Sequence, residues 1–542
     1  MNALAPQLPA NAPFTPAQQA WINGYLAALL SGDSAAARPS IVVATAGGIA
    51  ALQAPGTDVS ASAPAQSPAE EDFPWHDPSL SLDARMEMAA GKSYERRLMA
   101  AMAQQDCGQC GYLCQSYAEA IASGAEKSFA KCVPGGKETS RKLKELAADG
   151  AAVASVVVAT KAPVAAAAAP AESAPVPATF VQAAPLNRPG SAKDTRHVVF
   201  RAADAPVEYR VGDALGVHVA NDPALADGIV ERLGIAPESE VEGPDGVRRS
   251  LRDALIEGCD IGRPTDQAIE VLASRALDRD ESERLQALAE GYPGAGPEDA
   301  DLLDLLLAFP SARPPVQELI SALGTLQPRL YSIASSPKAR PGEVHLAVAA
   351  VRYQRRGRVR HGIASIHLAE RAKPGATLPV FVKPAHAFGL PQAPETPILM
   401  IGPGTGIAPF RAFLEERRAT GAKGRNWLFF GDQCRATDYL FEAELEDFRR
   451  DGLLSRLDLA FSRDQAEKLY VQHRMREQAR DIWAWVQEGA HIYVCGDAIR
   501  MAKDVDTALG HIFAKQGAMT LSGAKSLLAD LARQGRYQRD VY

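Results

Sequence analysis

The 542-residue chain contains no uninterrupted apolar run of the roughly 20 residues that a membrane-spanning helix needs. Its longest candidates, Ile41–Leu52 and Ala151–Ala169, are rich in Ala, Val and Gly, and Lys161 and Pro163 interrupt the second. Charge of one sign is also missing. Lysine and arginine nearly balance the acidic residues, and a formal net charge of −7 leaves no strongly basic surface for a polyanion. Nucleic acid is therefore not expected as a partner, nor is a membrane. The first residues lack a cationic segment followed by an apolar one, so no secretory signal is read there. Cysteine is scarce, and four of the seven lie between residues 107 and 132. That clustering suits metal binding in a reducing compartment better than a disulfide framework, and a cytoplasmic location is expected.

What the chain does contain divides it into segments. Residues 13–31 read as a short helix with Thr15 at its cap and Pro16 in its first turn, with Trp21, Tyr25 and Leu29 as an apolar stripe. Residues 32–82 are rich in Ala, Pro, Ser and Gly and read as a linker. Helical periodicity returns over 83–149, around the cysteines. An Ala/Pro-rich tether follows at 150–192, with a root-mean-square span of roughly 35 Å if flexible. It would hold its two ends at an effective concentration on the order of millimolar. Two larger units are expected after it, at 193–393 and 394–542, the first interrupted by a mostly helical stretch at about 223–325.

Six signatures occupy the last 215 or so residues in one order. They are Arg329-Leu-Tyr-Ser332, His361-Gly-Ile-Ala-Ser365, Gly402-Pro-Gly-Thr-Gly-Ile-Ala-Pro409, Ser462-Arg-Asp-Gln465 with Tyr470-Val-Gln472, Tyr493-Val-Cys-Gly-Asp497, and the terminal Arg536-Tyr-Gln-Arg-Asp-Val-Tyr542. The apolar strand Pro397–Ile401 runs into the third of these and then into a helix. Strand, glycine loop and helix N-terminus together make a pyrophosphate cradle at the carboxyl edge of a parallel sheet. Further strands at Asn426–Gly431, Arg456–Phe461 and His491–Cys495 alternate with helices, as in a doubly wound fold. Arg463 suits a bidentate phosphate contact, Ser462 and Lys468 add a donor and a charge, and Tyr470 offers a face for adenine. Cations here, in place of an acidic residue, favour NADPH over NADH.

In this order the signatures resemble the FAD- and NADPH-binding half of the ferredoxin-NADP reductase superfamily, in its diflavin branch, and within it the flavoproteins of NADPH-dependent sulfite reductase. The resemblance covers about residues 190–542, with a faint echo in the first thirty. It implies a multidomain α/β plus β-barrel fold: an FAD-binding barrel carrying the helical insertion, then a doubly wound parallel NADP-binding sheet. By resemblance Arg329, Leu330, Tyr331 and Ser332 line the flavin, with Arg329 on its pyrophosphate and Tyr331 flat on its ring. Gly362, Ile363, Ala364 and Ser365 would take the diphosphate. Ala347, Val348, Ala349 and Tyr353, on the strand after the flavin motif, would lie along FAD, and Thr265 is a weaker carry-over. Gly402, Gly404, Thr405 and Gly406 would cradle the nucleotide, with Gln472 and Asp504 near it. Ser332, Cys495 and Asp540 would surround the hydride path, and Tyr542 would cover the flavin face. By resemblance an N-terminal helix such as residues 13–31 would dock a partner subunit; a helix that packs on its own domain is the alternative.

The resemblance stops at the cysteines. A diflavin enzyme carries an FMN-binding flavodoxin domain ahead of its FAD half, and residues 32–190 offer no phosphate loop on a strand, so FAD without FMN is expected. In that place stand Cys107-Gly-Gln-Cys110-Gly-Tyr-Leu-Cys114 and, beyond a helix over Gln115–Lys127, Cys132. Two residues between Cys107 and Cys110 let both thiolates face one centre, and Cys114 follows one helical turn later. Four thiolates suit a [4Fe–4S] cluster or tetrahedral zinc. Only one Cys-x-x-Cys pair is present, where zinc sites usually have two, and Cys-Gly-x-Cys-Gly with a distant fourth cysteine resembles iron–sulfur modules of corrinoid and carbon-monoxide enzymes. The cluster is the preferred reading; zinc or redox-active thiols remain alternatives.

The expected function is an NADPH-dependent FAD electron-transfer subunit that passes electrons through the cluster to a siroheme-containing sulfite reductase subunit, for sulfite reduction to sulfide in sulfur assimilation and cysteine biosynthesis. A nitrate or nitrite reductase acceptor, or a zinc-stabilised tethering module, stays open, as does an oligomeric state.

Overall fold

The computed structural model describes residues 73–542, apart from 74, 77–79, 105–111, 113, 125, 127, 133, 155–174, 203–206, 293 and 386–387. The expected docking helix at 13–31 and nearly all of the linker at 32–82 lie outside the described residues. The end of that linker is a correction. Trp75 is buried against Ala89 and Ala100, so the cysteine module begins with an aromatic anchor before residue 83. Its helices are Leu82–Met88, Tyr94–Ala101, Cys114–Ala122 and Gly136–Ala154. They enclose a small core of Leu98, Met99, Met102, Tyr117, Ile121, Leu143 and Leu146, together with Cys114 and Cys132. The third helix ends earlier than the sequence suggested, at Ala122, where Gly124 turns left-handed.

The assigned tether at 150–192 is corrected more strongly. Residues Val176–Pro185 form the first strand, β1, and sit inside a sheet between β2 (Thr195–Ala202) and the later β10 (Thr377–Lys383). Ala178 and Phe180 point into the core. Pro177 and Pro185 stand near the two ends, where proline costs a sheet least. Strand β3 spans Ala214–Val217. The insertion follows, with helices from Pro223–Leu233 to Val316–Ala322 and a short ribbon of β4 (Glu240–Glu242) and β5 (Arg248–Ser250). It has its own apolar core, which includes Ile229, Leu255, Leu272, Leu305, Phe309 and Leu319.

Strands β6 (Arg329–Ser332) and β7 (Glu343–Ala349) complete an antiparallel sheet in the order β6-β3-β10-β1-β2-β7. A bridge between Ile333 and Leu346 joins the two outer strands and closes the barrel. The hairpin of β8 (Arg352–Arg355) and β9 (Arg358–His361) projects from it. In the last unit, β11 (Ile398–Ile401), β12 (Asn426–Asp432), β13 (Leu454–Phe461), β14 (His491–Gly496) and β15 (Tyr537–Val541) form one parallel sheet, ordered β13-β12-β11-β14-β15. Its central strands are buried throughout, as expected where helices cover both faces. Among the described residues no helix is long and apolar enough to cross a membrane.

Barrel and parallel sheet meet at the helix Ala408–Thr420. Arg411, fully buried, donates to the Ala334 carbonyl, pairs with Glu415 at 3.0 Å and with Glu444 at 2.8 Å, and lies over the Phe441 ring. Glu415 in turn accepts from the Ser336 backbone at 3.0 Å and from Arg340 at 3.2 Å. His345 and His197 extend this network, their rings 3.1 Å apart nitrogen to nitrogen. Burial, with Arg411 beside it, pushes His197 down to about 3, and burial lowers His345 too. Both rings are held neutral. Because the unfolded chain binds these protons more readily, stability falls as pH drops from about 6.5 toward 3, by up to ~1.4 kcal/mol per pH unit for His197. Replacement of His197 by Asn should flatten the loss of urea stability between pH 7 and pH 5 by about 2 kcal/mol. An unchanged pH slope would contradict this.

Candidate functional site

Strand β6 is positioned by β3, with Ser332 opposite Ala214 and Arg329 opposite Val217. Alternation puts Arg329 and Tyr331 on one face and Leu330 and Ser332 on the other. The Arg329 guanidinium donates to the Gln327 carbonyl at 2.8 Å and makes no ion pair among the described residues. Nearby, Asp260 is held above the usual carboxylate range by burial, although Arg329 and Arg263 pull it down. The loop carrying Asp260 approaches the candidate diphosphate turn: a Cβ on Gly262 would lie 3.6 Å from Ile363. Thr265, in the same loop, caps the helix Asp266–Ser274, accepting from Ala268 N at 3.0 Å and donating to the Ala322 carbonyl. Its hydroxyl is thus committed locally.

Gly362 caps a turn that begins as an α-helix, Ile363–Ile366, and continues as a wider π-helical turn, His367–Arg371. A side chain at Gly362 would stand 2.5 Å from Ser365 Oγ and 2.9 Å from Val351. The Ser365 hydroxyl is buried and holds this loop closed, accepting from Val351 N at 3.1 Å, and Ala364 is buried too. The groups this turn can offer a ligand are therefore the backbone N–H groups of its first residues, unpaired within any helix start. Val348 is in the barrel core and Ala347 faces the inter-domain core, whereas Ala349 is exposed. Tyr353, expected on the same strand, instead belongs to the β8–β9 hairpin, where it is half exposed. Gly357 turns that hairpin left-handed.

In the parallel sheet, β11 runs into Gly402, a tight 3-10 turn at Gly404–Ile407, and the helix Ala408–Thr420. Glycine is required by contact. A Cβ on Gly406 would meet the Cys495 carbonyl at 2.1 Å, and one on Gly402 would meet the Gly406 carbonyl at 2.4 Å. The loop is therefore pressed onto the end of β14. Ser462, after β13, is pinned to the Asp432 carbonyl through its backbone N–H at 2.9 Å and its hydroxyl at 3.2 Å. Arg463, Lys468 and Tyr470 are exposed beyond it, and neither cation has an ion pair among the described residues. Gln472 donates to Asp504 at 2.9 Å, so those two are brought together.

One contact between the barrel and the parallel sheet brings three of the expected site residues together. Parallel pairing of β14 with β15 sets Cys495 beside Asp540. Ser332 Oγ, from the barrel, donates to Asp540 Oδ2 at 2.5 Å, and Cys495 Sγ donates to the same oxygen at 3.6 Å. Burial raises the Asp540 carboxyl above its usual range against the pull of both donors. Burial and the adjacent carboxylate push the Cys495 thiol well up, so it stays protonated. One step further, Tyr542 continues the strand, its N–H on the Gly496 carbonyl at 3.0 Å and its hydroxyl 2.9 Å from Thr405 Oγ1. The half-exposed Tyr542 ring thus spans from β15 to the glycine loop. The arrangement can orient a flat ring pair and hold a proton at Asp540; it offers no activated nucleophile.

Cys107 and Cys110 lie outside the described residues. Cys114 and Cys132 are buried in the same small core. Burial raises the Cys132 thiol, while the backbone N–H groups of Ala103 and Gly135 donate to its sulfur and lower it. A Cβ on Gly135 would stand 3.0 Å from that sulfur. Sequence reasoning missed one further pair, Lys193 with Asp432, beside the glycine loop; the two residues are 239 positions apart and neither sits in a motif.

Substitution of Gly406 by Ala should displace the end of β14 and slow flavin reduction by pyridine nucleotide on the order of 100-fold, the effect of a misplacement near 1 Å. Bound flavin should be retained, since the barrel is untouched. Stopped-flow absorbance checks both, and a wild-type rate would contradict the contact.

Residues 169–367 match the family described as "FAD binding domain", and residues 400–507 the family described as "Oxidoreductase NAD-binding domain". The chain is similar to the sulfite reductase [NADPH] flavoprotein alpha-component of Bacillus subtilis (strain 168), 46% identical over 358 residues, which is 66% of this chain and 59% of that protein. The same-named protein of Photorhabdus laumondii is 42% identical over 377 residues, 68% of this chain and 61% of that one. That of Mannheimia succiniciproducens is 44% identical over 354 residues, 65% and 58% respectively. The match spans about three-fifths of the length of these relatives. The chain thus carries the paired FAD-binding and NAD-binding domains of a flavoprotein oxidoreductase.

Proposed function

We propose that this chain is an NADPH-dependent flavoprotein that delivers electrons to a siroheme-containing sulfite reductase subunit. The observation that carries this reading is the Ser332–Asp540–Cys495 contact, in which the flavin-motif strand of one domain touches the nucleotide sheet of the other. Hydride transfer needs the two rings at near-attack separation, and that contact marks where the domains converge. The relatives' name, sulfite reductase [NADPH] flavoprotein alpha-component, agrees with this acceptor.

FAD fits the residues present. Arg329 makes no close ion pair among the described residues, although Asp260 lies near enough to feel its charge, Gly362 leaves no room for a side chain, and the first backbone N–H groups of the turn after it are unpaired within the helix. When bound, FAD supplies a hydride acceptor that releases electrons one at a time. Tyr331 and Ser332 hold the ring from β6. Arg463 and Lys468 take the 2′-phosphate of NADPH, Tyr470 covers adenine, and Gly402, Gly404, Thr405 and Gly406 admit the pyrophosphate. Cys495 and Asp540 position nicotinamide, and Tyr542 yields its place when that ring enters. We take FAD as the sole flavin.

A [4Fe–4S] cluster on Cys107, Cys110, Cys114 and Cys132 fits the chemistry of the donor set. The Cys132 sulfur already receives two backbone N–H groups, and hydrogen bonds to the sulfurs are one of the levers that tune such a cluster. Such a cluster would supply a one-electron carrier between FAD and the haem partner.

Three measurements test this reading. Acid release should yield FAD and no stoichiometric FMN; equimolar FMN would refute the single-flavin assignment. Arg463→Ala should raise the KM for NADPH far more than for NADH, because one charge-assisted phosphate contact contributes roughly 1.5–3 kcal/mol. Equal effects would remove Arg463 from the 2′-phosphate. Cys107→Ser should abolish iron and labile sulfide from anaerobically purified protein, keep NADPH-to-ferricyanide activity, and sharply reduce haem-partner reduction. Zinc in the wild type, or full partner activity in the variant, would make the module structural.

A further inference from the structure

The loop joining β1 to β2 belongs to the barrel but is stitched to the nucleotide sheet. Arg188 N donates to the Thr437 carbonyl at 2.8 Å, and Asn187 and Ser191 both donate to Asp438. From this anchored loop Lys193 reaches Asp432, at the carboxyl end of β12, and pairs with its Oδ1. The two partners are unlike. The Asp432 side chain is 1% exposed and that of Lys193 36%, and Asp432 Oδ2 is buried with no hydrogen-bond partner among the described residues. Both groups flank the glycine loop. At Gly404, left-handed at φ +59°, a Cβ would lie 3.9 Å from Lys193 Nζ and 3.9 Å from Asp432 Oδ2, with nothing else nearer than 4 Å.

A plain inter-domain latch would bury and satisfy both charges. Here the lysine side chain is about one-third exposed beside the bare backbone of Gly404, and the carboxylate is left half satisfied. We propose that Lys193, supplied by the flavin domain, is a ligand of the dinucleotide's pyrophosphate bridge, with Asp432 as the resident counter-ion that holds it there. This rests on the reading of the second domain as a pyridine-nucleotide site. An ammonium has three donors on a flexible stem, so Lys193 can turn part of its hydrogen bonding from Asp432 to phosphate without a change in the loop. Asp432 opposes the anion by its charge, so it tempers affinity as well as positioning the cation. The pyrophosphate is common to both nicotinamide nucleotides, which separates Lys193 from Arg463.

Equilibrium titration of the full-length holoprotein with NADP+ and with NAD+, followed by the flavin difference spectrum, tests this. Lys193→Met should raise both dissociation constants about tenfold or more, by the same factor, and Lys193→Arg should restore most of the binding. Asp432→Asn should tighten both nucleotides. Flavin content serves as the check on folding; if Met is not tolerated, Lys193→Gln against Lys193→Arg decides whether binding follows charge at this position. Unchanged binding in the Met or Gln variant, a loss confined to NADP+, or weakening by Asp432→Asn equal to that of the lysine variants would overturn the assignment. A wild-type protein that binds neither nucleotide would instead overturn the reading of the domain itself.

Discussion

Everything the site can do depends on two sheets, built by different rules, being held in one register, and Arg411 holds them. A buried guanidinium is costly unless each of its donors is met. Here a carbonyl of the barrel and two carboxylates of the nucleotide domain meet it, and the Phe441 ring covers it. Loss of one partner leaves a buried charge uncompensated, so the interface is specified rather than merely sticky. With the helix Ala408–Thr420 fixed under the barrel, the glycine loop at its start and the end of β14 against that loop are fixed as well. The short hydrogen bond from Ser332 to Asp540 is the outcome of that geometry, not its cause.

The same logic explains why glycine, rather than any catalytic side chain, is the most constrained residue in the site. Gly406 lets a backbone carbonyl of β14 approach to where a Cβ would stand. Cys495 and Asp540 are brought beside the loop by sheet pairing and need no special conformation. Polar groups at this junction are few and mutually bonded, which suits the orientation of two flat rings.

Much of this was legible in the sequence because it is local. A strand, a glycine loop and a helix are contiguous, and their order along the chain carries the domain pairing. β1 was illegible for a physical reason: Val176–Pro185 is composed like the tether before it, and a bulge between Phe180 and Gln182 breaks its alternation. Its strand identity comes from two flanking neighbours, not from propensity. Tyr353 falls on β8 rather than on β7, and the two-residue break at Ala350–Val351 that separates them leaves no compositional mark. Val348 and Thr265 fell within matching stretches yet serve the barrel core and a helix cap. Lys193 and Asp432 were invisible, since their meaning lies wholly in a contact between domains. Burial of Trp75 corrected the start of the cysteine module in the same way, through packing that sequence composition does not record.

The central claim is that hydride passes from NADPH to the flavin at the Ser332–Asp540–Cys495 junction. Anaerobic stopped-flow reduction with NADPH deuterated at the transferring C4 position tests it directly, in the wild type and in Asp540→Asn. The account predicts a primary isotope effect on flavin bleaching in the wild type, and a slower bleaching with FAD retained in the variant. An Asp540→Asn protein that bleaches at the wild-type rate, with the same isotope effect, would contradict it.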